Sequence, residues 1–288
     1  MRRCKRDSIM LDGMIHLKSL RVEKTDAAWP KRYPFNVPAI ASLDRLDFTT
    51  PVTFLVGENG SGKSALLEAL ACAIGSITAG SESVKTDQTL APARELAHTF
   101  RLAWTKRTQK GLFLRAEDFF GYINRLSAMR AELEQDLKNV DEEYTTRTEV
   151  AHSYARMPYA GELSALQNRY GRGLEAYSHG ESFLEFFQAR FIPDGLYLID
   201  EPEAPLSPKR QLTFLSLVHR LLAQNAQFII ATHSPLIMAY PGATIYRFDQ
   251  SSIEAANYND LEHVWLTKSF LNNPERWLKD LLNKEAEE

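Results

Sequence analysis

Residues Gly57 to Ser64 read G-E-N-G-S-G-K-S, a full match to the pattern G-x-x-x-x-G-K-[ST]. That spacing suits a loop that wraps a chain of phosphates. Gly57, Gly60 and Gly62 permit tight bends, so that the backbone amides from Gly57 through Glu58, Asn59, Ser61 and on to Ala65 can turn toward an anion at a helix N-terminus. Lys63 is expected to reach the β- and γ-phosphates of a nucleoside triphosphate, and Ser64 to ligate Mg²⁺. Two further segments end in groups that could act on such a ligand. Leu196-Tyr197-Leu198-Ile199 runs into Asp200-Glu201-Pro202-Glu203, which puts paired carboxylates at the end of an apolar run. Asp200 is expected in the Mg²⁺ shell and Glu201 as the general base that polarises the attacking water. Phe228-Ile229-Ile230-Ala231 runs into Thr232-His233, whose imidazole is expected to bond the γ-phosphate or that water.

These groups converge only if the elements before them are neighbouring strands. Val52 to Val56 reads as a buried strand before the glycine loop, and Ala65 to Ala71 as a helix after it. Further strands are expected at 15–23, 43–49, 112–115, 196–199, 228–231 and 244–248. Their near-continuous apolar character predicts an α/β fold with a mainly parallel sheet covered on both faces. A helix from Ser207 to Ala223, capped by Ser207 with Pro208 in its first turn, links the acidic strand to the histidine strand. A right-handed connection then brings His233 to the same sheet edge as Asp200 and Glu201. From Glu117 to about Tyr144, Phe119, Ile123, Leu126, Leu133, Leu137 and Val140 recur at helical spacing, interrupted by Arg130, which predicts a long helix that packs on its own domain or, as the alternative, enters a coiled coil. Residues 75–92 and 145–175, rich in Ser, Thr, Gly and Arg, are expected as loops.

Composition adds limits. The chain has 288 residues, 44% hydrophobic and 25% charged, with a net charge of -3, which is ordinary for a soluble globular protein and carries no overall basic field. Cys4 and Cys72 lack metal-type spacing and suit a reducing cytoplasm. No apolar run reaches a membrane span, and Asp12 interrupts the stretch after the basic start, so a secretory signal is not expected. Arg94, Arg101, Lys106, Arg107 and Lys110 are candidates for a basic face toward nucleic acid.

The three constellations together resemble the ATP-binding-cassette ATPase family, over about residues 13–250. The resemblance implies a serine-glycine signature before the acidic strand, and Tyr177-Ser178-His179-Gly180-Glu181-Ser182 occupies that place, opening an apolar helix at Phe183. His179 and Glu181 depart from the usual L-S-G-G-Q; Ser178 and Gly180 are retained. By likeness Lys63 and Ser64 bind phosphate and Mg²⁺, Glu201 is the catalytic base, His233 the switch histidine, and Glu117 stands in for the metal-sensing glutamine. Ala204-Pro205-Leu206-Ser207 falls at the dimer-contact loop, with Ser207 where aspartate is common. Trp29 and Tyr33 are the candidates to stack on adenine. The resemblance implies one ATPase domain in three parts, 13–116, 117–190 and 191–288, that hydrolyses ATP with Mg²⁺ and closes as an ATP-driven homodimer. The D-E-P-E-A-P-L-S-P stretch looks more like the stand-alone ATPases of chromosome maintenance, recombination and phage defence, with nucleic acid or an effector protein as partner. A transporter subunit and a slow regulatory switch are the alternatives.

Overall fold

The computed structural model describes residues 13–24, 29–78, 83–170, 179–249 and 251–284. The chain opens with β1 (Leu17–Val22), α1 (Pro38–Ser42), β2 (Arg45–Asp47) and β3 (Val52–Gly57), which leads through the glycine loop into α2 (Lys63–Ile74). Next come α3 (Ala91–Ala97), β4 (Phe100–Trp104), β5 (Gly111–Arg115) and two long helices, α4 (Ala116–Glu143) and α5 (Glu149–Tyr170). The rest is α6 (His179–Arg190), β6 (Leu196–Asp200), α7 (Pro208–Leu222), β7 (Gln227–Ala231), β8 (Thr244–Phe248), β9 (Ile253–Ala255), α8 (Glu262–Asn272) and α9 (Pro274–Lys284).

The main sheet has six strands in the order β5-β6-β7-β3-β8-β9, all parallel except β9, which forms a hairpin with β8. Its central strands are buried on both faces, and alternation sorts them into two cores. Phe54, Val56, Tyr197, Ile199, Phe228 and Ile230 face α6, α7 and α8. Leu55, Phe113, Leu198 and Ile229 face α2, α3 and a small antiparallel sheet of order β2-β1-β4. Side-chain alternation with period two makes each apolar run serve both layers. Gln227 joins the small sheet to the large one: its amide accepts from Leu17 N–H (2.8 Å) and donates to Leu17 C=O (3.0 Å).

The long helical region differs from expectation in two ways. Residues expected as loop at 145–175 form α5 from 149 to 170, despite Pro158 within it. Pro158 lies on an exposed face, where water can serve the carbonyl that loses its N–H partner. Asp141 of α4 meets both His152 (2.7 Å) and Arg156 (2.6 Å) of α5, so pairing of the two helices overrides weak local propensity. α4 packs on the domain at its base, where Phe119 meets Phe183 edge to face at 4.7 Å, and runs along α5. At about 1.5 Å per residue the pair extends roughly 40 Å.

Smaller corrections follow the same logic. α6 begins at His179 rather than Phe183, which puts Gly180 in its first turn. Within the expected loop at 75–92, Gln88–Leu90 forms a 3-10 turn and α3 begins at Ala91. β4 was not expected; it alternates buried and exposed positions and is fixed by pairing with β1. Ser207 sits at the N-cap of α7, but its backbone carbonyl, not its hydroxyl, accepts the first-turn N–H groups of Arg210 (2.8 Å) and Gln211 (3.0 Å). Among the described residues no helix is long and apolar enough to cross a membrane.

Candidate functional site

Register brings the chemistry together. Arg115, Asp200, Ala231 and Leu55 lie side by side across β5, β6, β7 and β3, so the residues after them all leave the sheet at one edge. The glycine loop, Glu201 and His233 are those continuations. Gly57 and Gly62 are required by their surroundings. A Cβ at Gly57 would drive into the Phe248 carbonyl, and one at Gly62, where φ is 102°, would sit 2.9 Å from Val37.

Lys63 is buried, and its ammonium donates to the carbonyls of Gly57 (2.9 Å) and Glu58 (2.7 Å), which fixes the loop's curvature. Two of its three donors are thus engaged, leaving one for a phosphate oxygen. Burial lowers its pKa, opposed by the carboxylates of Asp200, Glu201 and Glu203. Ser61 Oγ is buried with no hydrogen-bond partner among the described residues.

Asp200 is also buried. Its carboxyl is pushed up to about 7, first by burial and then by Glu201 and Glu68, against the Ser64 hydroxyl and Lys63, which pull it down. Asp200 Oδ1 is buried without a hydrogen-bond partner. A buried carboxylate oxygen beside a serine hydroxyl fits a Mg²⁺ ion that takes its remaining ligands from water and phosphate. Among the described residues no three His, Cys, Asp or Glu side chains form a metal cage of their own.

Glu201 has a left-handed backbone (φ 50°), a conformation that costs a non-glycine residue about 1–2 kcal/mol. Its N–H donates to Ala231 C=O (2.9 Å), which holds the turn. Its side chain is 45% exposed, open to the solvent side, and Oε1 lies 3.8 Å from His233 Nε2. His233 Nε2 is itself buried without a hydrogen bond. Burial, then Lys63, lowers the His233 pKa, with Glu201 opposing, so the ring is neutral near pH 7.

A cavity of about 790 Å³ lies along this edge, lined by Glu58, Asn59, Gly60, His233, Arg247 and His263, among others. Tyr33 is 55% exposed, and its hydroxyl senses Glu68 and Asp200 after burial in raising its pKa. Trp29 instead packs on Phe35 and donates to its carbonyl (2.9 Å). Glu117 lies in the first turn of α4, but its side chain is outside the described residues, as is all of Ser178. The basic residues singled out in the sequence do not form one face: Arg94 is spent on the carbonyls of Val84 and Asp87, and Lys106 and Lys110 flank Asp194.

Residues 36–151 match a family model described as "AAA domain", and residues 132–239 one described as "AAA domain, putative AbiEii toxin, Type IV TA system". The two AAA-domain matches together span residues 36–239, and the fold is that of a P-loop NTPase. Solved structures similar to this chain include a nucleotide-free ATP-binding cassette from an ABC transporter, at 17% identity over 91% of this chain and 97% of that one, with a TM-score of 0.46. An Smc head domain from Pyrococcus furiosus is similar at 13% identity over 84% and 96%, with a TM-score of 0.43. A comparison with curated proteins gives no match.

Three residues of the site were not singled out by sequence. Glu203 accepts from His233 N–H (2.6 Å) and the Thr232 hydroxyl (2.8 Å), and so clamps the histidine turn to the acidic strand. Arg115 ends β5 buried against Glu68 (3.3 Å) and Asp87 (3.2 Å), which ties the strand beside Asp200 to the helix after the glycine loop. His263, on α8, reaches Met238 Sδ (3.0 Å) and lines the cavity with His233. The second acidic residue of D-E-P-E was the one available signal for Glu203; the other two depend on contacts distant in sequence.

Proposed function

We propose that the chain binds Mg-ATP on the Gly57–Ser64 loop and hydrolyses it to ADP and phosphate. The observation that carries this reading is the convergence of Lys63, the orphaned Asp200 oxygen, Glu201 and His233 at one sheet edge beside an open cavity. Lys63 and the loop amides stabilise charge on the γ-phosphoryl group, with Asn59, Gly60 and Ala65 among the loop's contacts. Ser64 and Asp200 would hold Mg²⁺, with Glu117 as the metal-sensing residue, and the ion would supply neutralisation of phosphate charge. Glu201 orients the attacking water and takes its proton, while neutral His233, fixed by Glu203, bonds the γ-phosphate. Tyr33 stacks on adenine.

The site is completed by a second copy, whose Ser178 and Gly180 close over the γ-phosphate, so ATP drives homodimerisation. The division into 13–116, 117–190 and 191–288 follows these roles. The chain acts in the cytoplasm with nucleic acid or an effector protein, in genome maintenance or phage defence; the toxin system in the description of the matched family supports the defence reading. Phosphate release by the purified chain with Mg-ATP tests the reading. We expect turnover that Lys63→Ala removes together with ATP affinity; wild-type protein that neither binds nor hydrolyses ATP overturns it.

A further inference from the structure

The three-stranded sheet carries an arrangement that folding alone disfavours. In its register Arg21 of β1 lies opposite Arg45 of β2 on one side and opposite Arg101 of β4 on the other, so three arginines form a row across the sheet. All three are exposed. Like charges directly opposite on neighbouring strands are destabilising. A register irregularity between Leu17 and Ser19 leaves Lys18 exposed beside this row, and a groove of about 340 Å³ runs between Lys18, Arg21, Arg45 and Arg101. Asp47 holds Arg45 (2.6 Å) and Glu23 holds Arg101 (2.7 Å), which orders the outer guanidinium groups. Among the described residues Lys18 and Arg21, at the centre, have no ion-pair partner. The cluster belongs to a chain whose net charge is -3, so it is a local concentration of charge and not a share of a basic whole.

From this geometry we infer that the outer face of the small sheet is a binding site for the phosphodiester backbone of nucleic acid. Strands about 4.8 Å apart set the outer arginines roughly 10 Å apart, a rigid row that can meet successive phosphates along one strand. Guanidinium forks suit phosphate oxygens, and among the described residues no base-reading element lies in the groove, so the contact is insensitive to sequence. The inference deepens the nucleic-acid part of the proposed function and rests on it, but not on ATP hydrolysis.

The test is fluorescence anisotropy of a labelled random-sequence DNA duplex with the full chain, titrated at several salt concentrations, with polyglutamate as a competing probe. Four phosphate contacts predict that affinity falls roughly a hundredfold between 50 and 200 mM salt. Arg21→Gln should lower the salt slope by about 1. The same substitution should raise the melting temperature, because it relieves the repulsion in the row, so lost binding cannot be ascribed to misfolding. The triple variant Arg21→Gln, Arg45→Gln, Arg101→Gln should lose duplex binding and keep its basal ATP affinity. Wild-type binding that the triple variant retains overturns this site while leaving a nucleic-acid partner elsewhere. Tight polyglutamate binding at this face without duplex binding overturns it in favour of an acidic protein. Wild-type protein that binds no duplex at low salt overturns both the site and the nucleic-acid reading.

Discussion

Replacing Asp200 with asparagine should stabilise the protein without ligand and remove its response to Mg-ATP. The carboxyl stands at about 7 in the fold against an ordinary 3.8, with burial as the main cause. Between those values the folded state keeps a proton that the unfolded chain has released, so stability falls as pH rises through that window. At about 1.36 kcal/mol per pH unit, the ionised carboxylate costs the unliganded fold about 4 kcal/mol by pH 8. Asparagine cannot ionise. Asp200→Asn should therefore match wild type near pH 4 and exceed it at pH 8 by a few kcal/mol, up to about 4. Mg-ATP should reverse the order, since the wild-type carboxylate gains its metal and the variant does not. Urea unfolding at both pH values, with and without Mg-ATP, measures all four states. A variant less stable than wild type by the same amount at both pH values would refute the reasoning, because the carboxylate would then be satisfied within the fold.

Glu203→Ala leaves the His233 N–H and the Thr232 hydroxyl without their acceptor, at a cost of about 1–3 kcal/mol in the unfolding free energy. Its turnover should fall more than its ATP affinity, as phosphate release and nucleotide titration will show; unchanged kcat would free His233 from the clamp. Ser178→Arg should bind ATP normally yet fail to dimerise with Mg-ATP in the ultracentrifuge, whereas an unimpaired dimer would remove Ser178 from the shared site.

The parts legible in the sequence were those whose signal is local. β3, the glycine loop and α2 are contiguous, and a buried run ending in Asp200-Glu201 needs only its own pattern to be read as a strand end. Elements that depend on distant partners were not legible. Residues 145–175 read as a loop from their Ser, Thr, Gly and Arg content until Asp141 is seen to hold both His152 and Arg156. β4, from Phe100 to Trp104, is only partly buried, and its pairing with β1 comes from about eighty residues away. Within the site, Lys63, Asp200 and His233 were readable from residue type and position. Glu203 was not, because its partners sit on the turn after β7. The arginine row is a property of register alone: Arg21, Arg45 and Arg101 are unremarkable surface charges until three strands align them.

The most direct test of the account is phosphate release by Glu201→Gln with Mg-ATP, measured beside ATP affinity and sedimentation. Glutamine keeps the size and the left-handed turn but cannot take the proton from water. The account predicts that ATP affinity is retained, that turnover drops at least about a hundredfold, and that the variant accumulates as a dimer when Mg-ATP is added. Turnover equal to wild type would contradict it, by removing Glu201 from the reaction.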